Sequence, residues 1–277
     1  MPTHLACNQY PWITFYQREG LDYSDNLERA LKECAEAGIQ GYEPIAHSPE
    51  DIDSLAPLLE KHGLEMRSLY VNSTLHDSDQ SAESIAGVVA IADRAGEVCG
   101  TQIIVTNPSP LKWGDAGAKN DEQLRHQATS LGLLGAQLAD RGITLSYHIH
   151  APEMNHSARE FHHMLLSNSP EHLTLCLDAH WIYRGTGNSN VALFDIIHLY
   201  GDRVSELHVR NSRDEIWTEE FRDGNLDWAA IMTALKDKGV TAPHVVLEQC
   251  VEKESPNTMS GSAAHKLTVE YARQVFG

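Results

Sequence analysis

Residues 173–210 read LTLCLDAHWIYRGTGNSNVALFDIIHLYGDRVSELHVR, and the way this stretch divides decides the fold. A short run centred on Leu173-Thr174-Leu175-Cys176 and a second centred on Val204-Ser205-Glu206-Leu207 enclose a longer segment of helical period. That is a strand–helix–strand unit of the kind that builds a parallel sheet. Strands of such a sheet are buried on both faces, so polar side chains inside them cost free energy unless they are paired. These two break the rule in a regular way. By alternation, Thr174, Cys176, Asp178 and His180 share one face of the first, and Glu206, His208 and Arg210 share one face of the second.

The same rhythm runs the length of the chain. Further strand candidates centre on Leu5-Ala6, Gly41-Tyr42, Met66-Arg67-Ser68, Gln102-Ile103-Ile104-Val105, Thr144-Leu145-Ser146 and Val245-Val246-Leu247, which makes eight βα units. Helix starts are marked by Ser48 before Pro49, by Asn120 before Asp121 and Glu122, and by Ser157 with Glu160 as a capping box. Gly38, Gly63, Gly142 and Gly239 stop helices just before the next strand. No linker, charge block or low-complexity tract interrupts the series. The expectation is an α/β protein with one (β/α)₈ barrel domain over residues 1–277. An open doubly wound sheet has the same periodicity, but Asn8-Gln9-Tyr10-Pro11-Trp12 stands where a dinucleotide site would carry its glycine fingerprint.

Bulk properties narrow the partners. The chain has 277 residues, 42% of them hydrophobic, enough for one large core. Its 21 lysines and arginines against 39 aspartates and glutamates give a formal charge of −18, which opposes binding to a nucleic-acid backbone. Five scattered cysteines, Cys7, Cys34, Cys99, Cys176 and Cys250, form no CxxC pair and read as reduced thiols. The opening MPTHLACNQYPW lacks the basic and apolar regions of a signal peptide, and no stretch approaches the roughly eighteen apolar residues of a membrane span. A cytoplasmic protein without membrane contact is expected, and homo-oligomerisation is left open.

Strand five repeats the polar pattern with Ser146, His148 and His150 on one face, and strand eight ends in Glu248. One imidazole on a barrel strand is usually a packed core residue, and Asp178 or Glu248 alone could be half of a buried ion pair with Arg210. Four consecutive strands each ending in an inward acid or imidazole are harder to explain by packing. They lie at the C-terminal mouth, where barrel enzymes place their sites, and supply the oxygen and nitrogen ligands that one divalent ion such as Mn²⁺, Zn²⁺, Co²⁺ or Mg²⁺ accepts.

With these residues in view the sequence resembles the xylose isomerase-like superfamily, in particular its sugar phosphate isomerase/epimerase group, with inosose dehydratases and endonuclease IV as relatives. The resemblance covers nearly the whole chain. It is carried by Tyr147-His148-Ile149-His150-Ala151-Pro152-Glu153, Leu177-Asp178-Ala179-His180-Trp181, Asp202 to Arg210, Asp223-Gly224-Asn225-Leu226-Asp227-Trp228 and Val246-Leu247-Glu248. It implies a metal on His148, Asp178, His208 and Glu248. His148 departs from the glutamate that the better-understood epimerases carry there, which leaves it a ligand or a substrate contact, and the HxH form is similar to inosose dehydratases. The alignment further implies Glu248, His150, Glu153 and Arg210 as catalytic groups. Trp181 is implied as a substrate contact. Asn8 and Trp12 after strand one, Glu43 after strand two and Asn107 after strand four are candidates either to line the mouth or to cap and pack loops, and His180 is a substrate contact only if the sixth strand reaches it.

The activity this implies is metal-dependent isomerisation or epimerisation of a sugar or keto-polyol, by proton abstraction next to a chelated carbonyl or hydroxyl. Dehydration of the inosose dehydratase type is the alternative. Endonuclease IV-like repair would need several metals and a basic surface, and a non-catalytic sugar-binding barrel would have no reason to keep Asp178, His208 and Glu248 together.

Overall fold

A computed structural model describes residues 3–112 and 117–277. Its barrel strands are β1 (Leu5–Asn8), β2 (Gly41–Glu43), β3 (Ser68–Tyr70), β4 (Ile103–Thr106), β5 (Thr144–Tyr147), β6 (Thr174–Asp178), β7 (Val204–Val209) and, after a small hairpin of β8 (Ser212–Arg213) and β9 (Ile216–Trp217), β10 (His244–Leu247). The eight pair in parallel in the order β2-β1-β10-β7-β6-β5-β4-β3. The two ends of the sheet meet through bridges from Gly41 to Glu65 and from Ile45 to Tyr70, so the barrel is nearly closed. The expected (β/α)₈ architecture is what forms.

Around it lie α1 (Gln9–Arg18), α2 (Leu27–Glu36), α3 (Pro49–His62), α4 (Ser81–Cys99), α5 (Asp121–Ala139), α6 (Asn155–Ser167), α7 (Ala179–Gly185), α8 (Asn190–Tyr200), α9 (Trp228–Asp237) and α10 (Gly261–Phe276). Their starts are chemical. Ser48 and Asp51 form a reciprocal capping box on α3, with Pro49 at its first position, and Asn120 and Gln123 do the same on α5. Gly63 and Gly142 follow helices at φ 67° and 72°, a left-handed turn that a Cβ would strain. The apolar stripe of α4, Ile85, Val88, Val89, Ala92 and Ala95, is buried in the same cluster as Leu69, Ile104 and Leu145 of the neighbouring strands.

Three expectations shift. Ser157 does not cap a helix: it lies inside α6 with φ 61°, between His156 and Ala158, which are also left-handed. Glu160 instead accepts from Lys119 Nζ at 2.7 Å and Gln127 Nε2 at 2.8 Å, so the box has lost its second member to an ion pair. The third strand runs further than Met66-Arg67-Ser68 suggested, which carries Tyr70 to its end. The sixth strand ends at Asp178, so His180 belongs to α7 and does not share a strand face with Asp178. The reason is the Asp178 side chain, whose Oδ1 accepts the backbone N–H of Trp181 at 2.8 Å and starts the helix there.

The order β10-β7-β6-β5 makes the four polar strands immediate neighbours. Asp178 pairs in register with His208, the His148 N–H bonds Thr106 O at 2.9 Å, and the Glu248 N–H bonds Val209 O at 2.9 Å. Backbone pairing alone therefore brings four chemically active side chains to one end of the barrel.

Candidate active site

His148, Asp178, His208 and Glu248 offer one donor atom each, all within 4.8 Å of one another, and all four are buried. The His148 ring stands 4.7 Å from that of His208, centre to centre, with its Nε2 3.6 Å from Asp178 Oδ2. Among the described residues neither ring nitrogen of His148 has a partner within ordinary hydrogen-bond reach, the Asp178 oxygen being the near polar group at 3.6 Å. An unsatisfied buried imidazole is costly, and a cation in this position would satisfy it. Burial, more than any neighbour, lowers the pKa of His148, which favours the neutral form that can ligate. The donor set of two imidazoles and two carboxylates fits a divalent ion.

His208 is oriented from behind. Its Nε2 meets Glu43 Oε1 at 3.0 Å and Glu206 Oε1 at 3.1 Å, leaving Nδ1 to face Glu248 Oε2 at 3.0 Å. Glu43 is fixed by Asn8 Nδ2 at 2.6 Å and Ser68 Oγ at 2.7 Å. The two carboxylates behind the ring differ. Burial opposes ionisation of both, but His208, with hydrogen bonds from Glu206 and Ser68, holds Glu43 well below the usual carboxylate range, whereas burial and the Glu43 charge push Glu206 well above it. The Glu43 charge thus opposes a second charge on Glu206 beside the same imidazole.

Arg210 reaches across the mouth. Its Nη2 donates to Asp178 Oδ2 at 2.6 Å and also to Glu248 Oε2, while its guanidinium carbon lies 5.2 Å from the Trp181 ring centre and 5.0 Å from that of Trp217. The ion pair that the sequence offered as an alternative to ligation thus exists. It involves both carboxylates at once.

Above these groups opens a cavity of about 530 Å³ lined by Asn8, Tyr10, Ile45, Tyr70, Asn72, His148, His150, Ala151, Pro152, Trp181, Trp217 and Glu248. A larger groove of about 1120 Å³ lies by the N-terminal ends of β3 and β4, but the charges on it, such as Arg94 with Asp53, pair with each other. Of the expected site residues, His150, Trp181 and Asn8 reach the cavity with His148 and Glu248. Glu43 and Asn107 lie behind it: Asn107 Nδ2 donates to His148 O at 3.1 Å and steadies that strand end. Glu153 is buried beneath, its Oε2 accepting the His150 N–H at 2.7 Å.

Two expected substrate contacts point elsewhere. Trp12 is fully buried on α1 and stacks on His265 of α10 at 4.1 Å, because that face of α1 packs inward against the last helix. His180, turned by the early start of α7, bonds Ser212 Oγ at 2.9 Å through Nε2 and accepts Trp217 Nε1 at 3.3 Å through Nδ1. It braces the hairpin and does not line the cavity. Sequence reasoning missed Tyr70, Asn72, Tyr10 and Trp217. A longer third strand would have placed the first two at the mouth, whereas Trp217 sits on a two-residue strand with no periodic signal.

The family model "Xylose isomerase-like TIM barrel" matches residues 31–269. An inosose dehydratase of Clostridium botulinum (strain Alaska E43 / Type E3) is 25% identical over 206 residues, covering 71% of this chain and 67% of that protein. Among solved structures, a D-psicose 3-epimerase in the presence of D-fructose aligns over 100% of both chains with a TM-score of 0.74 at 14% identity. A xylose isomerase-like TIM barrel protein from Mycobacterium smegmatis in complex with magnesium aligns over 99% of this chain and 96% of its own, with a TM-score of 0.74 and 14% identity. At those identities the structural likeness is one of fold.

Proposed function

Because the chain belongs to the xylose isomerase-like TIM barrel family, we propose that it is a divalent-metal-dependent sugar isomerase or epimerase acting by proton abstraction on a sugar or keto-polyol. One observation carries the reading: four donors from adjacent strands meet at the C-terminal mouth, beneath a cavity walled by aromatic rings. Inosose dehydratases among the sequence relatives and epimerases among the fold neighbours support a substrate of the sugar or polyol class. The magnesium complex of the mycobacterial barrel supports a metal in this fold.

A divalent ion held by His148, Asp178, His208 and Glu248 would polarise a substrate oxygen and acidify the neighbouring C–H bond. The chain's own groups do the rest. Glu248 lines the cavity as a carboxylate and takes the proton. Arg210 presents positive charge where negative charge develops on oxygen. His150, whose pKa burial and His148 hold well below the usual value, faces the same space as a neutral imidazole. Tyr70, Trp181 and Trp217 exclude water and give the C–H faces of a ring sugar something to lie against. The proposal makes the chain one domain over residues 1–277, working in the cytoplasm and without nucleic acid, as the −18 charge supports. No described helix is long and apolar enough to cross a membrane.

A second reading, dehydration, is favoured by a specific feature. Glu248 is the only carboxylate among the described residues lining the cavity, and His148 lines it too, with a ring nitrogen within 4.8 Å of a Glu248 oxygen. One base suffices to start elimination of a β-hydroxyl, whereas epimerisation calls on groups at two faces. Metal-loaded protein incubated with sugars, keto-sugars and inososes in deuterated water, with products followed by NMR, separates the two. Deuterium incorporated from solvent at carbon, with a centre inverted or the carbonyl shifted, gives the epimerase or isomerase, loss of water gives the dehydratase, and neither with any substrate sinks the proposal. His148→Glu is expected to keep the metal and move the product ratio towards isomerisation or epimerisation. Elemental analysis should find about one equivalent of metal in wild type and little in Asp178→Asn/His208→Ala. Unchanged content in that double variant would show that the site lies elsewhere.

A further inference from the structure

We infer that the Arg210 guanidinium is an internal stand-in for the metal, holding the cation position between Asp178 and Glu248, so that a divalent ion loads only by displacing it. The inference rests on the metal reading above. A single nitrogen, Nη2, bonds Asp178 Oδ2 at 2.6 Å and Glu248 Oε2. These are the atoms an ion needs. The other Asp178 oxygen, Oδ1, already accepts the Trp181 N–H at 2.8 Å at the start of α7. His148 Nε2 lies 3.6 Å from the same Oδ2, and His208 Nδ1 lies 3.0 Å from the same Glu248 Oε2, so each imidazole stands beside one of the two oxygens that Nη2 bonds.

Two cations cannot keep those oxygens together. Arg210 is 1% exposed and both carboxylates are buried, so like charges a few ångströms apart would meet little screening. The guanidinium's present position is built by the fold. Trp181 and Trp217 flank it, Trp217 is pinned by His180 Nδ1 at 3.3 Å and by its N–H to Glu252 Oε1 at 2.9 Å, and Trp228 Nε1 holds the Arg210 carbonyl at 3.1 Å. Arg210 Nε has no partner among the described residues, so the side chain is fastened at its tip and by stacking. A side chain held that way can pivot. Released from the carboxylates, it remains in the mouth between aromatic faces, placed to meet a substrate oxygen. The competition keeps the two acids neutralised before loading and lowers the apparent affinity for metal by the fraction of chains with Arg210 in place.

The test uses the full chain stripped with chelator and titrated with Zn²⁺ by calorimetry, with tryptophan emission followed in parallel, as wild type, Arg210→Met and Arg210→Lys. Arg210→Met is expected to bind one equivalent about tenfold more tightly, or better, than wild type, and Arg210→Lys to fall between them. Wild type should show a saturable emission change as the guanidinium shifts against the Trp181 and Trp217 rings that flank it, and Arg210→Met should not. Wild-type affinity in both variants overturns the inference, as does wild-type emission unmoved at saturation. Should Arg210→Met fail to fold, the lysine variant and the wild-type emission decide. If none of the three proteins binds a stoichiometric ion, the metal reading itself has failed and the inference falls with it.

Discussion

Glu248→Gln is expected to slow exchange of the substrate proton with deuterated solvent by on the order of a hundredfold or more, the usual loss on removing a general base. Three features of the site argue for this. Glu248 lines the cavity while remaining only 7% exposed, so it can touch substrate without being diluted by solvent. Burial works against its ionisation, but Arg210 and His208 beside it hold the carboxyl below the ordinary range, so the group is a carboxylate at neutral pH. It also directly follows the last barrel strand, where its N–H on Val209 O at 2.9 Å fixes it within reach of the other donors. Glutamine keeps the size and one acceptor oxygen, so metal content should fall far less than exchange, and it is measured on the same samples. Exchange at the normal rate in a metal-loaded Glu248→Gln protein would place the base elsewhere, with His150 the next group facing the cavity.

The fold was legible because the signals that carry it are local and repeated. Each barrel strand is a short run whose neighbours are helices with marked caps, and the polar residues that break the apolar runs identify the functional end without any knowledge of tertiary contacts. Alternation marked the polar faces of strands five to seven, and the family resemblance picked His148, Asp178, His208 and Glu248 out of the wider polar set. What could not be read depends on contacts distant in sequence. Glu43 looked like a residue of the mouth, and only the packing of β2 beside β1 shows it reaching under the site to His208 Nε2. Trp12 looked like a loop aromatic until the docking of α10 closed over it. For His180 a local rule was in reach: an aspartate three residues before a backbone N–H that needs a cap ends the strand, and everything after it follows helical spacing. Arg210 shows a limit of another kind. The sequence offered ligation and ion pairing as alternatives for Asp178 and Glu248, and the geometry has the same two oxygens serving either.

Glu153 gives the site a dependence on pH that is independent of catalysis. Its carboxyl is pushed up to about 7, first by burial and then by the nearby Glu160, against the downward pull of the His150 N–H and Lys119. The sign follows from proton counting. Between the unfolded value of 4.5 and about 7 the folded chain binds the proton more tightly than the unfolded chain does, so this group's contribution to stability is full below pH 4.5 and is lost as pH rises through 7. A shift of that size corresponds to at most about 3 kcal/mol, on the order of a third of the stability of an ordinary domain. Glu153→Gln removes the titration while its side-chain oxygen can still accept the His150 N–H. Chemical denaturation at pH 5 and pH 8 is therefore expected to show the variant gaining up to about 3 kcal/mol on wild type at the higher pH and little at the lower. Equal differences at the two values would mean that the carboxyl titrates like an exposed one and that its burial carries no such penalty. Because Glu153 is buried beneath the strand end that carries His150 and does not line the cavity, the variant should keep metal affinity. Its kcat should change by far less than that of Glu248→Gln, which separates support of the strand end from participation in proton transfer.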